Sequence, residues 1–237
     1  MLLFHVTIAV CAAPFLVFHA WGRRQRPRRT DLSRRTLLKT GALVAGAAAL
    51  WAAGEGALRL AGALGAERRG TGSLEHGTDD PTVMPVTQWF TDTVPTKIGD
   101  AITLVAGGRQ SRIPIGDLDR GDRVRAVLDC TGGWYAAQDW SGVRLDRLLD
   151  GLTDGALPVD GSVDVISRTG YRRRLPLHDA PSLLLATSAA GEPLSTGHGA
   201  PVRLIAPGRR GFWWVKWVER IEVVDAPWWR QPPFPLQ

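Results

Sequence analysis

The first 21 residues contain no Lys, Arg, Asp or Glu, and this run constrains the chain more than any other feature. At 1.5 Å per residue, a helix over residues 1–21 covers about 32 Å, close to the hydrocarbon thickness of a bilayer. A signal peptide is the alternative, but its charged region should precede the apolar run, whereas here eight cations follow it between residues 23 and 39. We expect a transmembrane helix at 1–21 and, by the positive-inside rule, a basic cytoplasmic loop at 22–39.

A second apolar stretch, rich in Ala, Gly and Leu, predicts another transmembrane helix over residues 40–66. The sequence S-R-R-T-L-L-K at residues 33–39 resembles the twin-arginine export signal, although paired arginines also precede many other membrane helices. The second span then runs outward, and whether it is cleaved is left open. Residues 67–82 are polar and rich in Gly and Thr, which predicts a linker. We expect a protein of the bacterial cytoplasmic membrane whose soluble part lies on the periplasmic or extracellular side.

Two histidines, His5 and His19, lie in the first apolar run. Their spacing puts both on one side of a helix, about 21 Å apart along its axis. This is similar to the paired haem-ligating histidines of membrane b-type cytochromes. Residues 36–66 contain no His, so a partner subunit would have to supply the second ligand of a haem b. Interfacial histidines near the helix ends are the alternative.

Residues 83–237 read as a separate domain of short apolar runs divided by Gly, Pro and Asp. The runs predict strands at Ala101–Ala106, Val124–Leu128, Val163–Ile166, Leu183–Ala186, Val202–Ala206 and Trp217–Val224. Apolar residues at helical spacing between Val143 and Leu152 predict one helix. The expected fold class is α+β, mainly β.

Charge and motifs exclude several functions. The chain has 29 Lys and Arg against 23 Asp and Glu, but the excess is concentrated at residues 23–39 and the remainder is nearly neutral. We therefore expect no nucleic-acid partner. The sequence contains no Walker loop, HExxH or GxSxG, so nucleotide, zincin and serine-hydrolase functions have no support.

Cys130 is the one cysteine of the predicted soluble domain, where it closes an apolar strand and opens a glycine-containing loop. A lone thiol outside the cytoplasm is exposed to oxidation, so its presence calls for a structural or functional explanation. A buried structural cysteine is one interpretation. A ligand position is the other, because the glycines let backbone and a large ligand approach closely.

The motifs around Cys130 resemble the molybdopterin-binding domain of the sulfite oxidase family. The resemblance rests on five segments in order: L-D-C-T-G-G-W at 128–134, W-S-G-V-R-L with L-L at 140–149, G-Y with L-P-L at 170–177, L-L-L-A with G-E-P-L at 183–194, and H-G-A-P-V-R-L-I-A-P-G with V-K-W-V at 198–218. It implies a sulfite-oxidase-type molybdopterin-binding domain, which the two transmembrane helices predicted above precede.

The resemblance implies a molybdenum cofactor, with Cys130 as the thiolate ligand of the metal and Tyr171 as an active-site residue. The implied cofactor contacts are Cys130, Thr131, His198, Arg203, Arg209, Arg210 and Lys216. Several of these are cations flanking glycines, which suits a phosphate group. A solvated hairpin rim is the alternative for Arg209 and Arg210, and a packed tyrosine is the alternative for Tyr171.

The sequence departs from sulfite-oxidising members in the segment before Cys130. Those members carry an arginine there to hold a dianion, whereas residues 89–95 contain an acid and no base. This makes sulfite an unexpected substrate. The sequence therefore predicts a membrane-anchored molybdenum oxidoreductase that exchanges an oxygen atom with a small molecule and electrons with quinone or a cytochrome. A non-enzymatic binding module and a haem-linked electron-transfer subunit are the alternatives.

Overall fold

A computed structural model describes residues 2–22, 33–63, 66–89, 92–97, 99–118, 121–153 and 161–235, with the side chains of the first helix described from residue 12 onward. The chain divides into two compact units, Met1–Ala66 and Glu67–Gln237.

The first unit contains two helices, α1 (Leu2–Gly22) and α2 (Arg34–Leu60). Ser33 caps α2, because its Oγ accepts a hydrogen bond from the Thr36 N–H at 3.2 Å. The cap explains why α2 starts at Arg34 instead of residue 40, so the last residues of the predicted loop are helical. Within the described residues, α2 is the helix long and apolar enough to cross a membrane, by length and composition. A span at 1–21 stays a prediction.

The second unit is built on two sheets. Its first sheet has the order β1-β5-β8-β10, with β4 added beside β5 and β9 beside β8. The strands are β1 (Leu74–Glu75), β4 (Asp122–Asp129), β5 (Trp134–Arg144), β8 (Leu184–Ala189), β9 (Glu192–Pro193) and β10 (Arg203–Ile205). Neighbouring strands run antiparallel except β1, which pairs in parallel with the start of β5.

The second sheet has the order β3-β2-β11-β6-β7. Its strands are β2 (Ala101–Ala106), β3 (Arg109–Pro114), β6 (Ser162–Ser167), β7 (Arg172–Pro176) and β11 (Val218–Val224). Strand β11 pairs in parallel with β2 and antiparallel with β6, so a late strand joins the early and middle parts of the chain. Helix α3 (Leu145–Thr153) packs against β2, β3 and β5. Buried apolar side chains from both sheets and α3 form one cluster, and the predicted α+β, mainly β class is confirmed.

Residues 67–82 correct one expectation. Predicted as a linker, they belong to the second unit, and they contain strand β1, which pairs with Trp134 and Tyr135. The side chains of Arg69, Thr71 and Ser73 also reach the body of this unit. The polar composition that indicated a linker instead provides hydrogen-bond partners for a buried carboxylate, described below.

Candidate functional site

An open cleft with about 440 Å³ of empty space lies in the second unit, where β4 ends. Four residues predicted from the sequence line it together: Cys130, Thr131, Tyr171 and Lys216. Seven other residues complete the lining: Thr87, Gln88, Trp89, Asp92, Gly211, Phe212 and Trp214. Residues far apart in the sequence thus meet around one thiol.

Cys130 is 9% exposed and is held firmly by its own loop. Its N–H donates to the carbonyl of Trp134 at 2.9 Å, and its Sγ accepts from the Gly132 N–H at 3.3 Å. Gly133 has a φ of 88°, a conformation that glycine adopts without strain. Across the cleft, a Cβ on Gly211 would lie 3.1 Å from the Cα of Cys130, so a glycine permits this close approach.

The carboxylate of Asp129, directly before the cysteine, is buried and accepts four hydrogen bonds or ion pairs. Ser73 Oγ and Thr71 Oγ1 donate at 2.7 and 2.8 Å, and Arg69 Nε donates at 3.1 Å. Arg210 Nη1 forms an ion pair with Oδ1 of the same carboxylate at 3.1 Å. Arg210 also donates through Nη2 to the carbonyl of the cysteine at 3.3 Å. This network fixes the end of β4 and therefore the position of the thiol.

Two cations lie beside the thiol: Arg203, which is 1% exposed, and Lys216, whose side chain is half-buried. Lys216 Nζ donates to the carbonyls of Gly197 at 2.6 Å and Thr87 at 2.9 Å, and burial together with the charge of Arg203 lowers the pKa of Lys216 to about 7. Arg203 donates through Nη1 to the carbonyl of His198 at 3.0 Å, and burial lowers its pKa to about 10. Both shifts indicate cations that lack a full anionic partner.

His198 was predicted to line the cofactor, but the structure places its ring among protein partners. Ring Nε2 lies 3.0 Å from the carbonyl of Met84, which can only accept, so Nε2 carries a proton. Ring Nδ1 lies 2.8 Å from Ser195 Oγ. Burial, followed by the charges of Arg203 and Lys216, lowers the pKa of His198, which favours the neutral ring. With both nitrogens partnered, His198 anchors the segment at residues 84–89 that lines the cleft.

Tyr171 lies at the cleft and is 8% exposed. Its hydroxyl donates to the carbonyl of Phe212, and burial raises the pKa of Tyr171 well above its usual value. The Phe212 ring lies 6.4 Å from that of Trp89. Tyr171 therefore keeps its proton and donates a hydrogen bond to the backbone of Phe212, another residue of the cleft. It is both a packed residue and a residue of the cleft lining, so both interpretations of Tyr171 describe part of its environment.

The structure places Arg209 and Arg210 on protein partners, and their phosphate role stays a prediction. Arg209 points to Asp179, with Nη2 at 2.5 Å from Oδ2, and its guanidinium lies 4.8 Å from the ring centre of Trp213. Arg210 supports the cysteine loop as described above. Neither lines the cleft, because each of these arginines has a carboxylate partner that the sequence did not reveal.

The haem prediction at His5 and His19 stays a prediction. The side chain of His5 lies outside the described residues, and His19 lies in the last turn of α1.

Several residues at the site escaped the sequence analysis. Thr87 and Gln88 line the cleft but lie in a segment that has neither the periodicity of a strand nor that of a helix. Trp89 and Asp92 belong to the stretch at residues 89–95 that was already compared with sulfite-oxidising members of the family. Asp129 and Phe212 were also missed, because a single acid or aromatic residue carries no local signal of burial. The position of Asp129 directly before Cys130 was the one sequence feature that pointed to a role at the site.

The donor set fits an anionic, metal-containing cofactor. Arg203 Nε and Gln88 Nε2 are buried donors without a partner among the described residues, a state that usually costs about 1–3 kcal/mol each. A phosphate or a polar heterocycle would satisfy them, and the thiol of Cys130 is a soft ligand suited to a transition metal. Fold and site together indicate a redox domain that binds such a cofactor.

Comparison with known proteins assigns the family. Residues 112–231, just over half of the chain, match the model of the oxidoreductase molybdopterin binding domain. The chain therefore belongs to this family, and the resemblance derived from the motifs is confirmed.

The chain is also similar to curated enzymes. It is 39% identical over 97 residues to the inducible nitrate reductase (NADH) 2 of Glycine max, a match that covers 35% of this chain and 11% of that protein. It is 30% identical over 128 residues to the mitochondrial sulfite oxidase of Rattus norvegicus, covering 50% and 22%. A solved structure, the sulfane dehydrogenase SoxCD from Paracoccus pantotrophus, aligns with a TM-score of 0.48 and 25% identity over 53% of this chain and 38% of that one. The chain thus spans a small part of these curated relatives.

Proposed function

We propose that the chain is a membrane-anchored molybdenum-cofactor oxidoreductase that acts on a small molecule outside the cytoplasm. The observation that carries this proposal is the lone, rigidly held thiol of Cys130, which lines a cleft beside the half-buried Lys216 and the buried Arg203. The family supports the cofactor, and the apolar helix α2 behind a twin-arginine-like sequence supports the anchor and the export. Quinone or a cytochrome in the membrane would exchange the electrons.

Individual residues would hold the cofactor in different ways. Cys130 would supply the thiolate ligand, and Thr131 lines the same cleft. Lys216 and Arg203 would face anionic groups, which would raise the depressed pKa of Lys216 and satisfy the free Nε of Arg203. The amide of Gln88 is a further donor for the pterin. His198 would act indirectly, because its ring holds the segment that carries Gln88.

The bound cofactor supplies two-electron chemistry with transfer of an oxygen atom. The protein contributes positioning and electrostatics. Cys130 is fixed by its loop, so its sulfur is presented in one orientation. Tyr171 keeps its proton at neutral pH, because burial raises its pKa, and it donates to the carbonyl of Phe212. Trp89 and Trp214 give the cleft an aromatic lining.

The substrate would be other than sulfite. Sulfite is a dianion, and the described residues that line the cleft include the carboxylate Asp92 and no arginine. The one cation in the lining, Lys216, already donates to two backbone carbonyls. A dianion would therefore enter the cleft without a bidentate partner.

The test is molybdenum content and redox activity of the full chain, produced in a host that makes the cofactor. We expect about one molybdenum per chain in the wild type and in Cys11→Ala, the matched control that removes the other cysteine. Cys130→Ala should lose at least 100-fold in activity with artificial electron carriers, because the metal loses its protein ligand. Anchoring is checked in the same cells, since the chain must stay in the membrane pellet after an alkaline carbonate wash.

Folded wild-type protein that contains neither molybdenum nor pterin would overturn the proposal and favour the non-enzymatic binding module. Metal that is retained in Cys130→Ala, with activity lost, remains consistent with it, because the pterin also holds the metal.

A further inference from the structure

A second cleft of the same unit follows the edge strand β7 and opens onto about 550 Å³ of empty space. We call it the β7 cleft. Four arginines line it, namely Arg172, Arg173, Arg174 and Arg230, together with Asp164 and Gln231. Its residues differ from those of the Cys130 cleft, and neither the family nor the proposed function assigns it a role.

The β7 cleft carries a strong excess of positive charge. Asp164 is its one acid among the described lining residues, and that acid is fully used, because Arg174 donates to both of its oxygens at 2.8 Å. A bidentate pair of this kind neutralises Arg174. Arg173 and Arg230 also line the cleft, and no second acid is among its described lining residues.

Arg173 is the buried arginine of this cleft, and two of its donor groups have no hydrogen-bond partner among the described residues. It is 2% exposed, and its guanidinium lies 4.1 Å from the ring centre of Trp213. Nη1 donates to the carbonyl of Pro232 at 3.2 Å, but Nε and Nη2 are buried without a hydrogen-bond partner in the described part of the chain. No carboxylate pairs with Arg173 among those residues either, which leaves a buried cation with two orphan donors. Such a group is costly unless an anion or water compensates it.

We propose that the β7 cleft is a binding site for a phosphate-type oxyanion. An oxyanion matches the paired N–H donors of a guanidinium, and Arg173 and Arg230 would approach it from strand β7 and from the C-terminal segment. The anion is either free phosphate or the phosphate of a lipid headgroup. Two aromatic side chains near Arg230 are exposed, Trp229 at 66% and Phe234 at 57%. They favour a lipid headgroup as the source of the phosphate, because aromatic residues beside arginine are common at membrane surfaces.

The test titrates inorganic phosphate into the cofactor-loaded full chain in nonionic detergent at fixed ionic strength, by calorimetry. Loading matters because, under the proposed function, the cofactor binds the cations beside Cys130, which would otherwise compete for phosphate. We expect saturable binding that Arg230→Gln weakens at least fivefold and that Arg173→Gln abolishes. Arg230 is exposed, so its variant keeps the test valid if Arg173→Gln fails to fold. The matched control is Arg112→Gln, which removes one exposed guanidinium from β3 at the opposite edge of the same sheet and should bind phosphate as the wild type does.

The same titration in phosphatidylglycerol nanodiscs separates the two sources. If a lipid headgroup occupies the cleft, inorganic phosphate will bind in detergent but no longer in nanodiscs, whereas a site for free phosphate will titrate equally in both. Absence of saturable binding in both media, or equal binding by wild type and Arg230→Gln, would overturn the proposal and mean that water alone solvates Arg173.

Discussion

Lys216 illustrates at the scale of one residue how the site is prepared for an anion. Its side chain is half-buried, its ammonium group donates to two carbonyls, and the positive charge of Arg203 lies close by. A lysine placed in this way contributes a penalty to the free energy of folding as long as it is charged. The penalty is relieved either by an anionic ligand or by loss of the proton.

This penalty predicts a pH dependence for the cofactor-free chain. The pKa of Lys216 is about 7 in the folded state and about 10.4 when unfolded, so between these values the unfolded chain binds more protons. The free energy of unfolding should therefore rise with pH from 7 to 10, by at most a few kcal/mol relative to Lys216→Met. Thermal unfolding at several pH values measures it, with the exposed Lys97→Met as control.

If the difference between wild type and Lys216→Met does not change with pH, the amine is not titrating in this range. Loading the cofactor should flatten the same curve, because an anion near the amine returns its pKa toward the ordinary value.

At the scale of elements, the pairing of β5 with β8 shows why the motif W-S-G contains a glycine. The register of the two strands shifts between Ser141 and Gly142. A Cβ at Gly142 would lie 2.0 Å from the carbonyl oxygen of Leu185, a distance that only backbone movement could relieve. The glycine therefore allows the two backbones to approach at this irregularity.

Gly142→Ala should lower the free energy of unfolding by more than about 3 kcal/mol, because the clash is with backbone atoms at the centre of the sheet. Chemical denaturation measures the change. Gly151→Ala is the matched control, since that glycine lies in α3 with open space around its Cβ position, and it should be neutral or stabilising by about 0.5–1 kcal/mol. Equal stability of the two variants would contradict the assigned register.

Elements with apolar alternation were predicted from the sequence, and those without it were missed. Strand β2 was predicted with its observed bounds, and β11 within one residue. Strand β7 begins with three arginines, and β5 buries Ala and Gln between its tryptophans, so neither carries an apolar run. The pattern of α3 was recognised but started two residues early, because Val143 is buried as part of β5.

The site follows the same division. Cys130, Tyr171 and Lys216 were found through motifs and do line one cleft. Which cation serves the cleft and which serves a carboxylate depends on partners distant in sequence, such as Asp179 for Arg209. No local pattern records such pairings.

At the scale of the whole molecule, residues 67–82 are structural. They supply three of the donors to the buried carboxylate of Asp129, so a chain without them leaves that charge paired with Arg210 alone. The domain that positions Cys130 therefore begins before the boundary at residue 83 that the sequence indicated.

We expect a fragment of residues 67–237 to fold, and a fragment of residues 83–237 to be less stable by about 2–4 kcal/mol, since a buried charge loses most of its partners. Thermal and denaturant unfolding of both fragments measures the difference. As a control, Asp80→Ala in the longer fragment removes an exposed acid whose carboxylate bonds locally, to Thr82 and Val83, and should change stability by less than about 0.5 kcal/mol. Fragments of equal stability would restore the linker interpretation.

The side chain of Gln231 has a consequence for the behaviour of the protein in a crowded solution. Its amide accepts from the N–H of Arg174 at 3.0 Å and donates to the carbonyl of the same residue at 2.6 Å, so one side chain imitates the peptide group of a neighbouring strand. Strand β7 is the last of its sheet, and an uncovered edge is a template on which another polypeptide can add itself. By covering this part of the edge from within the same chain, Gln231 protects the folded protein against self-association through strand pairing.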